Sequence, residues 1–159
     1  MKISPPNQSQ RSLLSRLFII PALVALAWSQ TACVHDATRQ LSPSYSTTKI
    51  NSLHSFYVRQ HGQDDHNLAG TIAAQLRQMG YTASHGTSRK APQRVDAVVT
   101  YTDRWMWDIT MYMLSLDMQL RDPATDVTLA SAKVVRTSLV RKSEPEMARE
   151  TLIKLLGKE

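Results

Sequence analysis

The chain has 159 residues, a length typical of a single domain, and a formal charge of +6 at pH 7. The first 32 residues hold three basic and no acidic side chains, so the rest of the chain is only mildly basic. That bias is too weak to indicate a nucleic-acid-binding protein, which normally has a clustered basic face. The single cysteine excludes an intrachain disulfide framework and a cysteine-based zinc site.

Residues 1–32 have the pattern of a bacterial signal peptide. Lys2, Arg11 and Arg16 form a basic start, and an apolar segment of 12 residues follows at 17–28. This length suits an export signal, whereas a membrane-spanning helix needs about 20 residues. We therefore predict that residues 1–32 direct export and are then removed.

The residues after the apolar segment resemble the lipobox of bacterial lipoproteins. Gln30, Thr31 and Ala32 precede Cys33, so a small residue stands directly before the cysteine. The resemblance implies cleavage after Ala32 and transfer of a diacylglycerol to the Cys33 thiolate. Gln30 departs from the family pattern, in which an apolar residue is usual. The alternative is an ordinary export signal that is cleaved nearby, for example after Ser29.

The residues that follow the cysteine bear on location. Val34 stands where enterobacterial lipoproteins of the inner membrane carry Asp, so the resemblance implies an outer-membrane lipoprotein that faces the periplasm. Lipoproteins of this class carry two or three acyl chains, and each buried methylene contributes about 0.8 kcal/mol, which makes such an anchor effectively permanent. Residues 33–51 comprise the acylated cysteine and a polar stretch that we predict to be a flexible tether.

Residues 52–159 are predicted to form a single α+β domain. Its clearest helix covers residues 65–79, where apolar side chains recur at helical spacing. Asp64 or Asp65 is expected to cap the start of this helix, and Gly80 to follow its end.

The sequence Ser143-Glu144-Pro145-Glu146 predicts the start of a C-terminal helix. Ser143 and Glu146 have the spacing of a capping box, and Pro145 lies in the first turn. Predicted strands occupy residues 53–58, 81–83, 95–102, 110–121 and 128–138. The alternation in 110–121 predicts that five residues face the core: Tyr112, Leu114, Leu116, Met118 and Leu120. This order predicts an α+β two-layer sandwich, in which a largely antiparallel sheet of about four to five strands carries two helices on one face.

This layout resembles small, uncharacterised bacterial envelope lipoproteins and the N-terminal domain of the Tol-Pal translocation protein B. The matching pieces are AAQLRQMGY, VDAVVTY, LRDPATDVTLASA and SEPEMARETLIKLL. The resemblance covers roughly residues 52–157. It implies a fold and a compartment rather than a particular activity.

The segment around two closely spaced tryptophans is the best candidate for a binding site. Arg104, Trp105 and Trp107 are of the types enriched at binding hot spots, and the two indoles share a face if the backbone is extended. We predict that these three residues contact a partner. The alternative is that the indoles cover the sheet beneath a helix.

Neither a metal site nor a catalytic constellation is predicted. His61, Asp64, Asp65 and His66 carry suitable ligand atoms, but they precede a helix whose start the aspartates are expected to cap. The motifs of serine hydrolases, zinc proteases, nucleotide-binding loops and dithiol enzymes are absent from the sequence. We therefore expect no cofactor, no metal and no enzymatic activity.

The sequence thus favours a non-catalytic outer-membrane lipoprotein that acts in the periplasm as an accessory or assembly module. Its partners are expected to be the membrane, through the N-terminal lipid, and an envelope protein or glycan, but not nucleic acid. One alternative is a periplasmic protein that binds lipid or glycan in a pocket. Another is a hydrolase without a recognisable motif.

Overall fold

A computed structural model describes residues 36–42, 47–91 and 93–158 of the chain. All of them belong to one compact unit, Val34–Glu159. The leader and Cys33 lie outside the described residues, so the signal peptide, the cleavage after Ala32 and the lipid on Cys33 stay predictions.

The described residues form one mixed sheet and three helices. The strands are β1 (Asp36–Leu41), β2 (Ser55–Arg59), β3 (Thr82–Gly86), β4 (Ala97–Asp108), β5 (Thr110–Arg121) and β6 (Thr128–Val135). The helices are α1 (Thr47–Asn51), α2 (Leu68–Gln78) and α3 (Glu144–Leu156), with a 3₁₀ turn at Ser138–Val140.

The sheet order is β1-β6-β5-β4-β2-β3. The pairs β1–β6, β6–β5 and β5–β4 are antiparallel, whereas β2 runs parallel to both β4 and β3. Apolar residues of α2, α3 and one sheet face form the core. The predicted α+β class is confirmed, but the expected four to five strands are too few, because the described chain forms six.

The structure differs from the prediction of a tether over residues 33–51. Asp36–Leu41 is an edge strand paired with β6, and α1 brings Ile50 into the core with 1% of its surface exposed. An edge strand gains its stability from backbone pairing with its neighbour and presents polar side chains outward. Its sequence therefore has the same polar composition as a tether.

The helix ends follow the local signals. Both carboxylate oxygens of Asp64 cap α2, accepting hydrogen bonds from the backbone N–H groups of Leu68 at 2.6 Å and Ala69 at 3.0 Å. Gly80 follows this helix with a φ of +90°. The capping box of α3, between Ser143 and Glu146, is also present. These predictions are confirmed, although α2 begins three residues later than expected.

The alternation predicted for β5 is interrupted by a β-bulge. Arg104 pairs with Ser115 but Trp105 pairs with Met113, so Leu114 has no residue opposite it. An extra residue in one strand reverses the orientation of the side chains beyond it. Met113 therefore faces the core, and the prediction that Leu114 does so is wrong. Tyr112 is buried, with 9% of its surface exposed, but it lies outside the main core cluster.

Candidate functional site

The hairpin formed by β4 and β5 projects beyond the rest of the sheet. Strand β6 ends at Val135, opposite Ser115, and β2 pairs with β4 only as far as Val99. Beyond these points, the two strands of the hairpin pair only with each other up to Asp108 and Thr110. The end of the hairpin consequently has few neighbours to bury its side chains.

Large apolar side chains are concentrated at this end of the domain. Of the eight that are exposed in the described part of the chain, six lie here: Met106, Trp107, Ile109, Met111, Leu139 and Val140. We call these six residues the apolar tip. Soluble domains rarely expose a contiguous apolar surface unless it is a contact site. The remaining two, Leu41 and Val127, lie elsewhere.

Ile109 forms the apex of the apolar tip. It connects Asp108 to Thr110 with a φ of 61°, and 87% of its surface is exposed. A left-handed conformation costs about 1–2 kcal/mol for a residue with a side chain, and it is rare for β-branched residues. An exposed isoleucine in a strained position is unfavourable for folding, and such strain is often associated with functional segments.

Arg141 joins the 3₁₀ turn to the hairpin. Its guanidinium donates to the backbone oxygen of Asp108 at 2.7 Å, to the Asp108 carboxylate at 3.2 Å and to Thr110 Oγ1 at 2.5 Å. It also lies 4.5 Å from the centre of the Tyr112 ring. These bonds hold Leu139 and Val140, the two residues just before Arg141, beside the hairpin.

The structure separates the three residues predicted to form a binding site. Trp105 packs against the core, donates from Nε1 to Asp103 Oδ2 at 2.6 Å and stacks on His66 at 4.0 Å. Trp107, on the same sheet face, is 68% exposed. Arg104 is exposed on the opposite face. Trp105 thus packs the hairpin against the core. Of the three residues, only Trp107 belongs to the apolar tip.

A polar cluster lies beneath Trp105. His61 Nε2 is 3.2 Å from Asp103 Oδ1, and the His61 ring lies 4.9 Å from that of Tyr101. Burial and the neighbouring Asp64 carboxylate raise the pKa of Tyr101. Within residues 36–42, 47–91 and 93–158, His, Cys, Asp and Glu form no group of three suited to holding a metal ion.

The sheet face opposite the helices is open and polar. One cross-strand row on it joins Thr38, Lys133, Asp117 and Thr102. Burial raises the pKa of Asp117, and the positive charge of Lys133 partly offsets this rise. This face therefore presents hydroxyl and charged groups in a regular arrangement.

Two arginines border this polar face. Arg59 and Arg121 reach the carboxylate of Asp126 at 3.1 Å and 3.3 Å, and the hydrogen bond from Arg59 is the main cause of the lowered pKa of Asp126. Both arginines line a groove of about 360 Å³, whose other lining residues are Thr100, Tyr101, Thr102, Asp117 and Gln119.

Most of the apolar tip was missed from the sequence. Until the ends of the neighbouring strands are known, nothing distinguishes Ile109, Leu139 and Val140 from other apolar residues. One available signal was the chain reversal between Tyr101 and Thr110, which must occur without Gly or Pro and so forces an unusual backbone on a bulky residue.

Comparison with solved structures finds a similar fold in PelC. Two dodecamer structures of PelC from Paraburkholderia phytofirmans, one of them of a single-residue variant, match with a TM-score of 0.51 and 17% identity over 77% of this chain and 95% of PelC. A minor lipoprotein from Acinetobacter baumannii matches with a TM-score of 0.28 and 15% identity over 67% of this chain and 87% of that one.

No protein-family model matches the chain, and no curated protein matches it by sequence. The class defined by the fold is a mixed α+β domain similar in structure to PelC. The resemblance to the N-terminal domain of the Tol-Pal translocation protein B stays a prediction. None of the helices in the described part of the chain has the length and apolar character needed to cross a bilayer.

Proposed function

We propose that this chain is a non-catalytic lipoprotein of the outer membrane, acylated on Cys33, whose periplasmic domain is an accessory module that docks through the apolar tip. The concentration of six exposed apolar residues at one end of the domain is the observation that carries the proposal. The lipobox-like sequence before Cys33 supplies the anchor.

The roles of the carboxylates support a non-catalytic domain. Asp96 accepts backbone hydrogen bonds from His54 at 2.8 Å and Ser55 at 2.9 Å, and these bonds lower its pKa. Asp64 and Glu146 likewise cap helices, so they are engaged in holding the backbone. Acid–base catalysis instead favours carboxylates whose pKa is moved towards neutrality in a cleft. Asp117 is the exception among the described carboxylates with a shifted pKa, because burial raises its pKa and it lines the groove on the polar face.

The anchor is tested by the mass of the mature N-terminus and by membrane fractionation. We expect the wild-type chain to begin at Cys33 with the mass of two or three acyl chains and to sediment with the outer membrane. A Cys33→Ser chain should lack the acyl mass and leave that fraction. A wild-type product that begins elsewhere without acyl mass contradicts the proposed anchor.

A second candidate function, binding of an acidic glycan, is favoured by one observation on the polar face. Arg59 and Arg121, which both pair with Asp126, line a groove that also contains hydroxyl and amide groups and the Asp117 carboxylate. Guanidinium groups suit carboxylates, and hydroxyl and amide groups suit sugars.

The glycan candidate is tested by titrating the protein with oligogalacturonate and with a neutral oligosaccharide of equal length. Selective binding of the acidic sugar, abolished by Arg121→Gln but retained by Arg149→Gln on exposed α3 surface, supports this function. Equal or absent binding of the two sugars removes it.

A further inference from the structure

The apolar tip and the start of β1 lie at the same end of the sheet. Asp36 pairs with Val135, Val135 with Ser115, and Ser115 with Arg104, so these four residues form one row across four strands. From Arg104, the hairpin continues for four residues to Asp108, a rise of about 13 Å.

The position of Asp36 limits where a lipid on Cys33 can be. Three residues of extended chain cover at most about 11 Å, so an acylated Cys33 stays close to this row of the sheet. The distance that Cys33 can reach from this row is thus similar to the distance from the row to the end of the hairpin. An anchor on Cys33 and the apolar tip can reach one common plane.

From this geometry we propose that the apolar tip inserts into the interfacial layer of the same membrane leaflet that holds the lipid on Cys33. This inference rests on the proposed function and names the bilayer as the surface to which the module docks. The lipid and the apolar tip then form two contacts, which fix the orientation of the domain on the membrane.

The distribution of apolar groups fits a lipid surface. Trp107 and Met111 lie opposite each other on one face of the hairpin, whereas Met106 lies on the other face. Ile109 extends from the apex. A tip that is apolar on both faces is suited to immersion, since lipid surrounds it, whereas a flat protein partner covers one face.

The charges beside the apolar tip also fit a membrane. The Asp108 carboxylate, the acidic group nearest the apex, is paired with Arg141 at 3.2 Å, which offsets its charge. Arg104 is exposed two residues before Met106 and adds positive charge. Tryptophan and basic residues are enriched where proteins meet the headgroup layer, and anionic phospholipids attract the latter.

The mature chain provides its own fluorescent probes. Its tryptophans are Trp105 and Trp107, because Trp28 belongs to the leader. Trp105→Phe leaves Trp107 as the single reporter, and Trp107→Phe leaves Trp105 as the matched control. The acylated protein is reconstituted into vesicles of phosphatidylethanolamine and phosphatidylglycerol, with or without bromine atoms on the acyl chains.

We expect the emission of Trp107 to be blue-shifted in vesicles and quenched by the brominated chains, with less quenching of Trp105. Ile109→Asn should weaken the quenching of Trp107, whereas Val127→Asn, at the far end of the sheet, should not. Equal emission of Trp107 in both kinds of vesicle overturns the inference. A blue shift without quenching, together with a larger assembly mass, also overturns it and assigns the apolar tip to contact with a second copy.

Failure of this inference is distinguishable from failure of the proposed function. Acyl mass on Cys33 without quenching of Trp107 leaves the lipoprotein in place and removes only the insertion of the tip. If the native product lacks acyl mass, the proposed function fails. In that case, the non-acylated protein is mixed with the same vesicles. Quenching of Trp107 in this mixture shows whether the apolar tip enters a bilayer without the lipid anchor.

Discussion

Arg141 connects the 3₁₀ turn to the end of the β4–β5 hairpin through Asp108, whose backbone oxygen lies 2.7 Å from Arg141 Nη2. The guanidinium also bonds to the Asp108 carboxylate and to Thr110. Two segments that are 33 positions apart in the sequence are thereby held side by side, and both carry exposed apolar residues.

Replacement of Arg141 should loosen the apolar tip. Arg141→Met removes several hydrogen bonds from a partly exposed side chain, so we expect a loss of about 1–2 kcal/mol in the free energy of unfolding. Urea denaturation measures the loss, and amide exchange should increase at Leu139 and Val140. Arg149→Met is the control. An unchanged exchange rate at the 3₁₀ turn would show that Arg141 does not hold it.

Replacement of the apex residue should separate stability from docking. Asn adopts the left-handed backbone of position 109 more readily than Ile, and Ile109 buries little surface in the protein. Ile109→Asn should therefore stabilise the fold by up to about 1 kcal/mol while weakening membrane contact. Thermal unfolding and vesicle binding of the same preparation measure the two effects. A destabilised variant contradicts the assignment of backbone strain to Ile109.

The cap of α2 should make stability dependent on pH in the acidic range. Although burial opposes the shift, hydrogen bonds from Ala69 and Leu68 lower the pKa of Asp64 below its usual value of 3.8. An acid with a lowered folded pKa stabilises the protein above its unfolded pKa, and this contribution is lost as pH falls through the folded pKa.

Asp64→Asn should reduce the free energy of unfolding at pH 7 and also reduce its change between pH 5 and pH 2. Urea midpoints at both ends of that range test the effect. Asp65→Asn, next in the chain, is the matched control. Identical pH profiles for the Asp64 variant and the wild type would show that the cap does not contribute.

Asp117 should behave in the opposite way. Burial raises its pKa, so folding favours the protonated carboxyl and the charged form costs stability at neutral pH. We expect Asp117→Asn to stabilise the domain at pH 7 and to have less effect below pH 3, where the wild-type carboxyl is protonated. Chemical denaturation at these two pH values checks the sign, and a loss of stability at pH 7 would contradict it.

Removal of one partner of the ion pair between Arg136 and Glu150 should strongly lower the free energy of unfolding. The Arg136 side chain is only 5% exposed, and Lys142 also bonds to Glu150 at 2.9 Å. Glu150→Ala leaves a buried guanidinium without its carboxylate, for which we expect a loss of about 3 kcal/mol. The double variant Arg136→Met/Glu150→Ala should recover much of this loss, and strictly additive losses would be inconsistent with the pairing.

The two long helices were predictable because their signals are local. Asp64 and Gly80 bracket α2, and the capping box at Ser143 starts α3. Strand β1 was not predictable, since its pairing comes from β6, nearly 100 positions away. The bulge at Leu114 has no local signature either, because it depends on how β4 and β5 align.

The apolar tip could be predicted only in part for the same reason. The composition around Trp107 indicated a contact surface, and that side chain is exposed. Trp105 has the same residue type two positions away, but His66 and the core cover it. The difference arises from where helix α2 and the ends of β2 and β6 lie, and these are properties of the assembled domain.

Spin-label accessibility at the apex tests membrane docking most directly. Acylation of Cys33 leaves the mature chain without a free thiol, so Ile109→Cys and Val127→Cys each provide one labelling site on vesicle-bound protein. We predict that the label at position 109 is accessible to oxygen and protected from a water-soluble nickel complex, and that the label at position 127 is open to the nickel complex. Equal nickel accessibility at the two positions would contradict docking through the apolar tip.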